Sequence, residues 1–220
     1  MEHESKRLKL GVWSKPEFEY LQHNTWYCEE KIDGTNIRVM WDGTSISING
    51  KTDNANLNGS LVKNIQSLFS SPTLFNDIFP STPDKPIQVC LYGEGFGPGI
   101  QKAGSLYTKN GIIADKSFIL FDVKVGELWL ERQDVIDIAQ RLHCLYTQEV
   151  FRGTLLECID FAKKGYTSKF GDFIAEGIIA RPLVEMKNRR GERIITKLKY
   201  EDFRHDLYQD PVLGQLPPQE

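Results

Sequence analysis

Cysteine is scarce in this chain and never closely paired. Cys28, Cys90, Cys144 and Cys158 are spread over 220 residues, and no CxxC spacing points to zinc or a redox couple. They read as reduced, mostly buried thiols of a cytoplasmic protein. Histidine is as sparse: His3, His23, His143 and His205 show no metal-ligand spacing. No apolar run approaches the ~18 residues that a membrane span needs. The opening MEHESKRLKLG has no apolar stretch of the signal-peptide kind. Internal repeats and low-complexity tracts are missing. So is an excess of one charge: 27 basic and 30 acidic residues leave −3. That excludes a uniformly basic nucleic-acid coat but allows a local basic surface.

What is present suits a folded protein. The chain is 40% hydrophobic and 11% aromatic, enough to bury a core. Its length suits one domain over residues 1–220. NIRVMW at 36–41 and TSISI at 44–48 read as strands joined at Asp42-Gly43, a hairpin signal. LVKNIQSLFS at 61–70 has helical apolar spacing, with Pro72 expected as its stop. After a proline-rich loop at 80–86, IQVCLY at 87–92 reads as a buried strand ending in the glycine-dense loop GEGFGPG. Residues 117–123 form another expected strand, with 127–130 as its hairpin partner. Helices are expected near 132–143 and 154–164, and strands at 176–181 and 193–199 about the charged turn NRRGE. Helices without strict βαβ alternation indicate an α+β fold with mainly antiparallel sheets. Residues 163–204 hold 11 Lys and Arg against 6 Asp and Glu, either a solvated face or a strip facing a polyanion.

Six clusters carry the chemistry, in one order: Glu30-Lys31-Ile32-Asp33-Gly34-Thr35-Asn36, then Gly50-Lys51-Thr52, Tyr92-Gly93-Glu94-Gly95, Phe118-Ile119-Leu120-Phe121-Asp122, Glu176-Gly177, and Lys197-Leu198-Lys199. Each has a plain reading by itself: an exposed hairpin, a solvated glutamate, two core phenylalanines, an edge strand guarded by lysines. The run GEGFGPG fails the dinucleotide fingerprint, because Pro98 stands where the third glycine belongs.

The ordered set resembles the covalent nucleotidyltransferases, the ATP-dependent polynucleotide ligases and mRNA capping enzymes. Within them it is most similar to RNA ligases of the bacteriophage RNA ligase 2 type. EKIDGTN resembles their nucleophile motif, and YGEGFGPGIQK, FDV, EGIIARP and TKLK resemble the later ones, across about residues 26–200. The resemblance implies an ATP-grasp-like nucleotidyltransferase domain, with two mainly antiparallel sheets around a nucleotide pocket and helices outside. It implies ATP and Mg²⁺, and RNA ends, single-stranded or in a nicked duplex, as partners, as in RNA repair. The product would arise through lysyl-AMP and adenylylated RNA. Related enzymes carry a C-terminal OB-fold or helical domain after the lysine pair. Only 21 residues follow Lys199 here, so neither domain is expected, and the alternatives are weak binding of nicked duplex, a partner chain that supplies the missing domain, or action on simple single-stranded ends.

The resemblance also assigns roles. Lys31 is the nucleophile, an amine that must lose a proton from an ordinary pKa near ~10.4. Lys197 and Lys199, two residues apart on a strand and so on one face, supply a cationic field that favours its neutral form. The same pair binds the α-phosphate. Glu176 serves Mg²⁺ as a ligand or through a neighbouring water. Glu94 accepts from the ribose. Phe121 stacks on adenine, with Phe118 the rival assignment. Glu30 binds adenine through its backbone, its side chain toward solvent. Asn36 attends the RNA end, and Lys51 stands where relatives often have arginine. Gln101, Lys102, Arg181, Lys187, Arg189 and Arg190 are candidate phosphate contacts. A minimal DNA ligase, a GTP-using capping enzyme, and a nucleotide- or RNA-end-binding module without sealing activity are the alternative readings.

Overall fold

The computed structural model describes residues 12–82, 84–109 and 111–203. The segments that carry His3, His205 and the start MEHESKRLKLG, read above as having no signal-peptide stretch, lie outside them. In chain order the elements are α1 (Pro16–Tyr20), β1 (Trp26–Lys31), β2 (Thr35–Trp41), β3 (Ile46–Asn49), α2 (Gly59–Leu68), α3 (Pro72–Ile78), β4 (Val89–Phe96) and α4 (Leu106–Lys109). They continue with β5 (Ser117–Val125), β6 (Leu128–Trp129), α5 (Arg132–Arg141), β7 (Leu145–Tyr146), β8 (Glu149–Gly153), α6 (Leu155–Lys164), β9 (Gly177–Pro182) and β10 (Thr196–Lys199). The fold is α+β, and apart from the parallel β5–β7 pair its strands pair antiparallel. None of the described helices is long and apolar enough to cross a membrane. All four cysteines are free thiols.

The chain divides into two compact units. Of the described residues, the first comprises 12–31, 148–169 and 174–203, and the second those within 32–147 and 170–173.

The first unit is built on a four-stranded sheet in the order β10-β9-β1-β8. Trp26 and Cys28 of β1, Ile178 and Ala180 of β9, and Leu198 of β10 share one face. They are buried with Leu155, Cys158 and Ala162 of α6. Period-two burial on the strands meets the 3.6-residue period of the helix, the ordinary way a sheet acquires a covered face. A capping box starts α6: the Thr154 hydroxyl accepts from the Glu157 N–H, and the Glu157 carboxylate accepts from the Thr154 N–H.

The second unit carries a sheet in the order β3-β2-β4-β5-β6, with β7 alongside β5. One face packs Ile37, Val39, Leu91, Phe118, Leu120 and Val123 against Leu61 and Ile65 of α2, Phe75 of α3 and Val135 and Ile138 of α5. The Asp42-Gly43 hairpin forms as expected. Asp42 Oδ1 accepts from the Thr44 and Ser45 N–H groups, which holds its carboxyl well below the usual range.

Two local expectations are corrected. Pro72 does not simply stop a helix. It occupies the first turn of α3, behind the N-cap Ser71, where the missing N–H costs nothing. And β4 does not end at Tyr92. It continues through Gly93-Glu94-Gly95 to Phe96. The glycines admit neighbours rather than make a loop: a Cβ on Gly93 would lie 2.2 Å from the Phe118 ring.

Candidate active site

In the first unit, β9 lies between β1 and β10. Lys31 of β1 and Lys199 of β10 both stand opposite Gly177 of β9. Directly opposed residues in a sheet share a face, so both lysines project from the face opposite the buried core. Lys197 joins them two residues away and is exposed. A Cβ on Gly177 would sit 2.0 Å from the Leu198 carbonyl oxygen, so only glycine fits there. The backbone around it is pinned: the Tyr200 N–H donates to the Glu176 carbonyl at 2.9 Å, and the Tyr166 hydroxyl to the Gly177 carbonyl at 2.8 Å.

Glu176 joins the two cations. Its Oε2 is 2.6 Å from Lys31 Nζ and its Oε1 2.9 Å from Lys199 Nζ. The carboxylate is 13% exposed and Lys31 18%, so solvent screens this pair weakly. The Glu176 bond holds the Lys199 ammonium well above the usual lysine range, with Glu201 adding to it and burial opposing. Lys199 therefore stays charged across neutral pH.

The neighbouring row on this face holds a pairing that sequence reasoning missed. Arg181 Nε is 3.2 Å from Glu29 Oε2, and both side chains are almost fully buried. Arg181 is thus a buried ion-pair partner rather than an exposed phosphate contact, a correction to the expectation above. Burying one charge of such a pair without the other is costly, so each residue holds the other in place beside Lys31.

Glu30 is corrected as well. Its side chain does not face solvent: it is 1% exposed. It accepts from the Ser168 hydroxyl at 2.5 Å and from the Lys169 N–H at 2.7 Å. Alternation along β1 sends Glu30 to the face opposite Lys31. Burial raises its carboxyl above the ordinary range, partly offset by these bonds.

The second unit has its own polar face. Asn36 of β2 stands opposite Glu94 of β4, and Glu94 opposite Ile119 of β5. One row on, Arg38, Tyr92 and Asp122 align. Tyr92 pairs with Asp122 but Gly93 with Leu120, which leaves Phe121 as an extra residue in β5. The bulge places Phe121, half-buried, on the face of Asn36 and Glu94. Phe118 is fully buried in the core, edge-on to Phe69 at 5.4 Å. Of the two rivals, only Phe121 is available to a ligand.

Lys51 is exposed in the turn after β3. A cation anchored to this face is Arg38, which sequence reasoning passed over. Its Nε donates to the Gly50 carbonyl at 2.8 Å and its Nη2 to Asp53 at 2.7 Å. Its signal was parity: two residues after Asn36 on a strand is the same face. Asp33 also does more than turn the chain. Its N–H donates to the Tyr107 hydroxyl at 3.0 Å and its carboxylate accepts from the Ala103 N–H at 3.0 Å. Gln101, Lys102, Lys187, Arg189 and Arg190 are exposed or half-exposed. His23 and His143 are exposed, and no cluster of three or more His, Cys, Asp or Glu side chains among the described residues forms a metal site.

The lysine–glutamate–lysine row lies within a stretch that also matches at the level of the whole sequence. A family model described as RNA ligase covers residues 24–199. The chain belongs to the RNA ligase family. Solved structures agree on the fold. The chain is similar to the Naegleria gruberi RNA ligase with PPi (14% identity, TM-score 0.63), over 89% of this chain and 55% of that one. It matches a lysine-to-methionine variant of the same enzyme with AMP and Mn at 13% identity and TM-score 0.63, again over 89% and 55%. A lysine-to-alanine variant with ATP and Mn gives 13% and 0.63, over 89% and 54%. The chain thus spans about 55% of the Naegleria ligase's length. Among curated protein sequences none matches this chain.

Proposed function

We propose that this RNA ligase family member is an ATP-dependent RNA ligase that seals 5′-phosphate to 3′-hydroxyl ends through a lysyl-AMP intermediate, with residues 1–220 acting as one nucleotidyltransferase domain. The observation that carries the reading is the pair of amines on one carboxylate: Lys31 and Lys199 on the two oxygens of Glu176. The relatives' structures with ATP, AMP and PPi are consistent with it.

The chemistry follows from the groups in place. The Lys31 ammonium must lose a proton before it can attack, and Glu176 Oε2 at 2.6 Å is placed to receive it. The freed lone pair forms the Nζ–Pα bond as the bond from Pα to the bridging oxygen breaks, and pyrophosphate leaves. Lys199 stays positive through the step and offers that charge to the phosphate oxygens, with Lys197 beside it. AMP then passes from Nζ to a 5′-phosphate oxygen of RNA, forming an anhydride and restoring the amine. Attack by a 3′-hydroxyl on that 5′ phosphorus forms the phosphodiester and expels AMP. In this reading Phe121 stacks on adenine, Glu94 accepts from the ribose, Asn36 attends the RNA end, Lys51 contacts ribose or phosphate, and Glu30 contributes its backbone at the adenine.

A divalent cation fits this donor set in one way. Mg²⁺ is commonly held by one or two carboxylates together with substrate phosphates and water, and Glu176 is the carboxylate here, each oxygen keeping a lone pair beyond its lysine contact. Bound with ATP, the ion would neutralise phosphate charge.

Incubation with α-labelled ATP and Mg²⁺, followed by denaturing electrophoresis, tests the reading. A covalent, acid-labile label absent from Lys31→Ala is expected. No label on the wild-type chain, or a label that survives the substitution, would overturn it.

A further inference from the structure

We infer that the connector between β9 and β10 forms, together with α1, a binding groove for the body of a single-stranded RNA, away from the end that reacts. The inference rests on the ligase reading for the identity of the polyanion, and on the groove itself for everything else.

The groove has a volume of about 870 Å³ and lies wholly within the first unit. Its floor is apolar, formed by Leu21, Met186 and Ile194, and its rim carries Lys15, Lys187, Arg189 and Arg190. Tyr20, the last residue of α1, is 85% exposed at its edge. Two carboxylates, Glu17 and Glu192, also line it. Glu192 is taken up by its own turn, accepting from Asn188 Nδ2 at 2.8 Å. Four cations therefore face two carboxylates, and the lining is net positive.

The arginines are presented rather than left to drift. Asn188 Oδ1 accepts from the Arg190 and Glu192 N–H groups at 2.9 and 3.0 Å. The Asn188 N–H reaches the Glu192 carbonyl at 2.8 Å, and the Gly191 N–H the Asn188 carbonyl at 2.9 Å. At the base of this turn Arg193 is bound to Glu185 and mostly buried. Among the described residues no carboxylate pairs with Lys187, Arg189 or Arg190. The hairpin thus spends one arginine on its own structure and leaves three cations for an external anion.

An apolar floor, an exposed ring and a cationic rim are what unpaired strands need: base faces find the floor and ring, phosphates the rim. A duplex hides its base faces and would leave floor and ring unused. Arginine forks suit phosphate oxygens. The groove lies beyond the Pro182 end of β9, while the reactive row stands at Gly177. That is five residue steps, roughly 17 Å at ~3.3 Å each. A strand held here is gripped along its length and not at its terminus.

The test uses the full chain and a fluorescein-labelled 5′-hydroxyl RNA 18-mer, which cannot be adenylylated, with binding read by anisotropy over a salt series. Changing Lys187, Arg189 and Arg190 together to alanine should weaken binding at least tenfold. It should also flatten the slope of log K against log salt by about 2, since each phosphate contact on a single strand contributes about 0.7. Tyr20→Ala should weaken binding about fivefold or more with little change in slope. Self-adenylylation should be unaltered in both variants. RNA affinity and salt slope equal to wild type in the triple variant would overturn the groove, as would equal displacement of RNA by polyglutamate or a preference for duplex. Photo-crosslinking of 4-thiouridine RNA to the wild-type chain needs no substitution: label in residues 183–195 supports the groove, and label confined elsewhere overturns it. A wild-type chain that binds RNA through this groove but never takes up AMP would sink the ligase reading and leave the groove standing.

Discussion

Lys31 and Lys199 stand opposite the same residue, Gly177, from the two strands that flank β9. Two ammonium groups on one sheet face repel, and Glu176 between them makes the arrangement tolerable. Removing the carboxylate's charge should therefore disturb both lysines at once. Glu176→Gln is expected to lower the rate of self-adenylylation by about 10² to 10⁴, the usual scale for loss of a proton acceptor or a charge-organising group. Single-turnover label transfer measures it, and a rate within twofold of wild type would remove Glu176 from the mechanism.

Lys199→Met should also slow adenylylation, by about 10² to 10³, while the chain stays folded because the side chain is one-third exposed. Lys199→Arg should recover part of that loss by keeping the charge. The comparison separates a charge requirement from a merely structural lysine, and equal loss in both variants would speak against the charge.

Phe118 and Phe121 should part company under substitution. Phe118→Ala opens a cavity in a packed core and should cost about 3–5 kcal/mol of stability, read by chemical denaturation. Phe121→Ala should leave stability within about 1 kcal/mol and raise the KM for ATP instead. A Phe121→Ala protein with wild-type KM would end its assignment to adenine.

Burial raises the Glu30 carboxyl, which gives its linkage a definite sign. Between the unfolded value, near 4.5, and the higher folded one, the native state holds the extra proton, so stability falls as pH rises through that window. Glu30→Gln keeps the shape and can keep both bonds to Ser168 and Lys169 while removing the charge. Its unfolding free energy should lose this downward slope and exceed wild type's relative to acid pH. Parallel pH profiles for the two proteins would show that Glu30 is not the source.

Glu29 and Arg181 form the buried pair beside Lys31. Glu29→Gln should destabilise by about 3–5 kcal/mol, because the buried guanidinium loses the Glu29 charge. Changing both to apolar residues of similar volume should recover much of the loss. A double-mutant cycle measures the coupling, and additive losses would mean the two residues act separately.

The lysine–glutamate–lysine row was legible only through the resemblance of its ordered clusters to a family, since Lys31 and Glu176 lie 145 positions apart; what local spacing carried was narrower. Lys197 and Lys199 share a face by parity alone, and EKIDGTN carries its own turn. The hairpin at Asp42-Gly43 was legible for the same reason. What escaped depended on partners distant in sequence. Glu30 and Glu29 look alike as a doublet, and only Ser168 and Arg181, about 140 and 150 positions later, decide what each does. Gly93 and Gly95 looked like loop residues because their purpose, room for Phe118 and Leu61, lies on other elements. Pro72 was read as a stop, though the same residue opens a helix when an N-cap serine precedes it.

The surplus residue in β5 leaves a mark on how that strand is written. Before it, positions 118 and 120 face the core; after it, 123 does. Striking Phe121 from the sequence would leave a strand of strict alternation. A deletion scan across 119–123, scored separately for solubility and for AMP uptake, tells whether that surplus residue serves the bend of the strand or the ligand.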